Sequence, residues 1–184
     1  MKPSIISAIL LLFVMNASAQ ELNKKMEDPN RHKEVMLNIC TREGITSFPE
    51  FKESYDGNYA AYKPDSTSFA SLTNLLKDKK ITIVLGTWCG DSKFQVPHFL
   101  KIMDALKIGA DNVTYICVDG NKKAENGLID NMKITNVPTF IFTDKKGVEV
   151  ARITERPQET LEKDMLIALS VKAALPGKPE RKFK

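Results

Sequence analysis

Apolar positions along the second half of the chain follow two alternating periods. Phe69, Leu72, Leu75 and Leu76 share one helical side, with Ser66 placed to cap that helix. Residues 81–85 (Ile-Thr-Ile-Val-Leu) form a short β-branched run that reads as a buried strand. Val96, Phe99, Leu100, Met103 and Leu106 mark one face of a longer helix, and residues 113–118 read as a second buried strand. Residues 122–132 read as a weaker helix. Residues 139–142 and 148–153 are strands around Asp144-Lys145-Lys146-Gly147, a good hairpin turn. Leu161, Met165, Ala168 and Leu169 mark a closing helix. Two parallel strands joined by helices, then a hairpin and a helix, predict an α/β three-layer sandwich around a central mixed sheet. Such folds place their sites at the carboxyl ends of central strands, which directs attention to the turn after residue 85.

The first part of the chain is read differently. Residues 32–39 suggest a short helix. Phe48, Phe51, Tyr55, Tyr59 and Tyr62 follow at spacings of three and four, predicting an aromatic helical face packed on the main domain, with Gly57 weakening that helix. At the very start, Lys2 precedes an apolar stretch over residues 5–14 and the small residues Ala17-Ser18-Ala19. This pattern is that of a secretory signal peptide cut after Ala19. The apolar stretch, about ten residues, falls short of the roughly 20 a membrane-spanning helix needs. The expectation is a secreted or periplasmic protein with no membrane span after signal cleavage. Its organisation is a signal peptide (1–19), an N-terminal helical extension (20–63), a main domain (64–172) and a basic flexible tail (173–184).

Composition narrows the function classes. With 42% hydrophobic residues in 184, the chain has enough apolar surface to fold. Three cysteines are too few for a disulfide-dense scaffold. A net charge of +4, from basic residues interspersed with acids, gives no stripe for nucleic acid. No phosphate-cradling glycine loop and no metal-spaced His/Cys/Asp cluster is present in the sequence, so no cofactor and no metal are expected.

The chemistry concentrates in Thr87-Trp88-Cys89-Gly90-Asp91-Ser92-Lys93. Cys89 lies where a strand gives way to a helix. Unpaired N–H groups and the helix dipole there favour the thiolate, the nucleophilic form, while the charge of Asp91 opposes it. Trp88 offers an apolar surface beside the sulfur. His98 lies nine residues along the helix, about 13 Å away at 1.5 Å per residue, too far to act as a base and expected at the surface. Cys117, inside a strand, reads as a packed core residue. Cys40 is open to three readings: a surface thiol, an intermolecular link, or a resolving partner folded over the site.

These residues, with Pro97 eight positions after the cysteine and Val137-Pro138-Thr139 before a late strand, resemble the thioredoxin family over roughly residues 64–172. The resemblance implies a thioredoxin-like fold and a cis Pro138 set against Cys89. It also implies a substrate groove formed by Trp88 and the Val137-Pro138-Thr139 loop. Gly90, Asp91 and Ser92 would support the nucleophile Cys89. Three departures matter. The family's second cysteine is Ser92 here, Asp91 replaces a common proline, and Ile83 occupies a position that often holds a buried acid. Ser92 can offer a hydrogen bond but cannot form a disulfide, so a mixed disulfide at Cys89 must be released by another thiol. The expected activity is monothiol exchange on protein thiols or disulfides, by isomerisation or reduction of mixed disulfides, with an external thiol or reductase for regeneration. The alternative is a redox-inactive binding or chaperone module using the same groove. The oligomeric state is not legible.

Overall fold

The computed structural model describes residues 21–173. The expected signal peptide, its expected cleavage point and the tail from residue 174 lie outside the described residues. The chain runs β1 (Lys24–Asp28), β2 (Lys33–Cys40), α1 (Arg42–Ser47), α2 (Pro49–Ala61), α3 (Phe69–Leu76), β3 (Lys80–Leu85), α4 (Gly90–Ala105), β4 (Val113–Cys117), β5 (Thr139–Thr143), β6 (Glu149–Thr154) and α5 (Leu161–Ala173). The strands form one sheet in the order β1-β2-β4-β3-β5-β6. Only β3 and β4 are parallel, in register from Ile81↔Val113 to Leu85↔Cys117. The other pairs are antiparallel, giving a mixed α/β sheet flanked by helices.

Strand alternation decides what each face buries. Ile81, Ile83 and Leu85 point into the larger core, where they meet Phe51 of α2, Leu72 of α3, Phe99 of α4 and Met165 of α5. Phe99 stacks on Phe140 of β5 at 4.4 Å between ring centroids. Val84 points the other way, into a smaller core with Ile116, Val118, Ile129, Val137 and Ile141. That second face is covered by the connection between β4 and β5, and it is the face on which Trp88 and Cys89 pack.

The aromatic face forms as expected. Phe51, Tyr55 and Tyr59 stack along α2, at 6.5 Å and 5.2 Å, and α2 packs on α4. Three local expectations are corrected. Residues 32–39 are not helical: His32 lies in a turn and the rest fall in β2, an inner strand between β1 and β4. Val35 to Asn38 are buried on both faces, so the run lacks the alternation that marks a half-exposed strand. Residues 122–132 form no α-helix, only the short 3₁₀ turns Glu125–Gly127 and Asp130–Met132. Positive φ at Lys122, Asn126 and Gly127 breaks the helical path. The side chain of Asn38 binds this connection instead, accepting from Glu125 N–H at 2.9 Å and donating to its carboxylate at 2.8 Å. Finally, α3 is preceded by a 3₁₀ turn capped by Asp65 rather than Ser66, the Asp65 carboxylate accepting from Thr67 N–H at 3.0 Å.

Candidate active site

β3 ends at Leu85 and the chain turns through Gly86 into α4. Cys89 is the N-cap of that helix, in extended conformation (φ −84°, ψ 127°). Its N–H donates to Gly86 O at 3.0 Å, closing the turn. Its thiol is partly exposed and donates to the carbonyl of Val137 at 3.2 Å. The Val137–Pro138 peptide bond is cis, and both residues are buried. Thr139 fixes this loop by donating its hydroxyl to Asn136 O at 2.7 Å. The sequence segments 86–92 and 137–139, far apart in the chain, therefore meet at one sulfur.

Trp88 is held on three sides. Its indole N–H donates to Val118 O at 3.0 Å. Its ring lies over Gly86, where a Cβ would stand 2.6 Å from the ring carbon Cε2, so this position requires glycine. On the ring face sits the guanidinium of Arg31, 3.8 Å from the centroid. Arg31 comes from the turn between β1 and β2. Asp28 organises that turn by accepting from the N–H groups of Asn30 (2.9 Å), Arg31 (3.0 Å) and Gly120. Burial pushes the Asp28 carboxyl up, but these donors, helped by the Arg31 charge, outweigh it and hold it below its ordinary range.

Ser92 is fully buried. Its hydroxyl accepts from Gly86 N–H at 3.3 Å, so it braces the turn, and it makes no hydrogen bond to Cys89. Asp91 pairs with Arg156, which donates at 2.8 Å from the loop after β6. Together with Gly90, Gln95 and the half-exposed ring of Phe94 they line an open groove of about 520 Å³ beside Cys89.

The other candidate residues lie apart. His98 is not a surface residue: it is 8% exposed, stacked on Tyr62 at 4.1 Å and met edge-on by Phe94 at 4.5 Å. Burial lowers its pKa, with the Glu162 carboxylate opposing. Cys40 is not brought to Cys89. It is buried in the larger core, while Cys89 packs on the opposite face of the sheet. Cys40 pairs in register with Tyr115 and Asn38 with Cys117, which puts the Cys40 and Cys117 side chains diagonally on one face. Burial, reinforced by the adjoining Cys40 thiol, pushes Cys117 well above the ordinary thiol range. Ile83 is buried among apolar side chains. A second cavity, about 440 Å³, includes Arg42, Met103 and Asp104 near the far end of α4, some 20 Å from Cys89 by helix rise. Among the described residues no group of three His, Cys, Asp or Glu could hold a metal ion, and no helix is long and apolar enough to cross a membrane.

Sequence reasoning missed Arg31 and Arg156, because each reaches the site from a distant loop. A signal for the first existed: Asp28-Pro29-Asn30 is turn chemistry, and it sits between two segments that pair as strands.

The chain is similar to known proteins. A family model described as Thioredoxin matches residues 43–170. Mitochondrial thioredoxin-3 of Saccharomyces cerevisiae is 26% identical over 110 residues, covering 55% of this chain and 81% of its own. Its oxidized crystal structure aligns at 25% identity, 59% and 96% coverage of the two chains and a TM-score of 0.35. Oxidized thioredoxin O2 of Arabidopsis thaliana aligns at 23% identity, 59% and 87% coverage and a TM-score of 0.34. With its family match spanning more than half its length, and with a general role in thiol–disulfide redox chemistry, the chain belongs to the thioredoxin family.

Proposed function

We propose that this protein catalyses thiol–disulfide exchange on exported proteins through Cys89 alone. The observation that carries the reading is the distribution of its sulfur. Cys89 is partly exposed at a helix start, its partner position is a buried serine bonded to Gly86, and the other two thiols are in the opposite core. In the first step the Cys89 thiolate attacks one sulfur of a substrate disulfide. A Cys89–substrate S–S bond forms, the substrate S–S bond breaks, and the electron pair leaves on the second substrate sulfur. In isomerisation a substrate thiolate then attacks the mixed disulfide, forming a new substrate disulfide and returning Cys89 as thiolate, with no net oxidation. In reduction an external thiolate attacks the Cys89 sulfur of the mixed disulfide and the substrate leaves as its second thiolate. A second external thiolate then attacks the external sulfur, returning Cys89 as thiolate and joining the two external thiols in a disulfide. Trp88 and the Val137-Pro138-Thr139 loop provide the groove in which the substrate strand lies.

The amino-terminal pattern supports an exported location, where substrate disulfides persist. The test uses the missing second thiol as a trap. Exported extract is quenched with acid, alkylated and run on a non-reducing gel, with Cys89→Ala and Ser92→Cys beside the natural protein. Adducts that require Cys89 and fade in Ser92→Cys are expected. Partners recovered only non-covalently, with no Cys89-dependent adduct, would instead favour the redox-inactive binding module.

A further inference from the structure

We propose that Arg31 selects substrates by charge, favouring disulfides flanked by Asp or Glu; this rests on the exchange function proposed above. Arg31 is exposed, yet it is not a loose surface cation. The β1–β2 turn that carries it is fixed by the buried Asp28, whose oxygens accept from the N–H groups of Asn30, Arg31 and Gly120. A Cβ on Gly120 would lie 3.0 Å from Arg31 Nε, so the guanidinium runs close along the backbone there. It ends flat on Trp88, 3.8 Å from the ring centroid. A cation on an aromatic face is attracted by the ring quadrupole, which restrains the side chain before substrate arrives.

The N–H donors so placed are unfilled, although the charge is felt by the neighbouring Asp28 carboxylate. Among the described residues the Arg31 side chain makes no hydrogen bond, and no carboxylate lies within ion-pair distance of it. The nearest acid in its own turn, Asp28, is occupied by backbone donors. Arg156, the other arginine of the site, is answered by Asp91 at 2.8 Å. On the wall formed by the cis-proline loop, Lys122 donates to the amide oxygen of Asn136 at 3.3 Å, not to a carboxylate. Trp88, next to the nucleophile in the chain, thus carries on its ring a planar fork of N–H donors that no carboxylate of the described residues fills. A carboxylate next to a substrate cystine can take that fork in bidentate fashion, whereas a lysine there meets a like charge.

The probe is a pair of peptides, each with one cysteine held as a mixed disulfide with thionitrobenzoate. They are identical except for Glu or Lys on both sides of that cysteine. Attack by Cys89 on the peptide sulfur forms the Cys89–peptide S–S bond and breaks the reagent bond. The coloured thionitrobenzoate thiolate leaves with the electron pair. Each rate is divided by that of the same peptide with 2-mercaptoethanol, which removes the peptide's intrinsic reactivity. The natural protein should prefer the Glu peptide about three- to tenfold at low salt, the range expected for an exposed, partly ordered ion pair set against a like-charge contact. The preference should collapse toward unity in Arg31→Gln, and in the natural protein at about 1 M salt, where the screening length is near 3 Å. Equal rates for the two peptides, or a preference that survives Arg31→Gln, would overturn the selector role while leaving exchange standing. Release that is the same in Cys89→Ala would overturn exchange, and the selector with it.

Discussion

Gly86→Ala places one methyl group under the only tryptophan in the chain. The added Cβ would stand 2.6 Å from Cε2 and 2.8 Å from Nε1 of Trp88, well inside van der Waals contact. The ring cannot stay. Moving it strains the turn, at about 1–3 kcal/mol for overpacking. It also stretches the bond to Val118 O, worth about 0.5–1.5 kcal/mol, and disturbs the Arg31 stack, worth about 0.5–1 kcal/mol. These costs overlap, since one displacement relieves the first by incurring the others. Alanine also stiffens the unfolded chain, returning about 0.4–1 kcal/mol. The net expectation is a loss of about 1–3 kcal/mol. With a urea slope of about 1–3 kcal/mol per molar, the midpoint should fall by roughly 1 M. Because Trp88 is the sole indole, its emission reports the same event and should move toward that of a solvated ring. An unchanged midpoint together with unchanged emission would refute the packing described for this turn.

Three further outcomes are expected. Native protein should take up one equivalent of a bulky maleimide, at Cys89, and three after unfolding, as counted by intact mass; native labelling of Cys40 would contradict its burial. His98 has a folded-state pKa below its ordinary 6.5, so the stability it contributes is fully present above that pH and is lost as the pH falls through the lower folded value. The denaturation midpoint should therefore drop on going from pH 7.5 to pH 5.5, and His98→Phe should flatten that drop. Gly57, inside α2 with open space where a Cβ would go, should accept alanine with a gain of about 0.5–1 kcal/mol in a urea melt.

Legibility followed the range of the interactions. α4 and α5 could be read because each has one buried side and therefore a period, while β3, β4 and β5, covered on both faces, could be read as short apolar runs rich in β-branched and aromatic residues. β2 is also covered on both faces, but Lys33, Glu34, Met36 and Leu37 are good helix formers, so its run carried neither alternation nor a strand-like composition. The connection over residues 122–132 failed for a local reason, its positive φ angles, and for a distant one, the side chain of Asn38. His98 was misplaced because its cover, Tyr62, arrives from the end of another helix. At the site, Cys89, Trp88 and the Val137-Pro138-Thr139 loop were recognisable from motifs. Ser92 was recognised as unable to resolve a disulfide, but its bond to Gly86 depends on the fold of the turn. The two arginines were missed: turn chemistry at Asp28-Pro29-Asn30 marked the loop that carries Arg31, but nothing in the spacing of Arg31 or Arg156 ties either to residue 88 or 91.

Whether Cys89 works as a lone nucleophile is tested most directly with purified protein and one defined disulfide-bonded peptide, followed by intact mass under non-reducing conditions. The natural protein should accumulate a one-to-one adduct with a single peptide half, mapped to Cys89 and released by added thiol. Ser92→Cys should convert that adduct into an intramolecular 89–92 disulfide and free peptide, and Cys40→Ala should behave as the natural protein does. No adduct in the natural protein, or one that forms equally in Cys89→Ala, would contradict the assignment of Cys89.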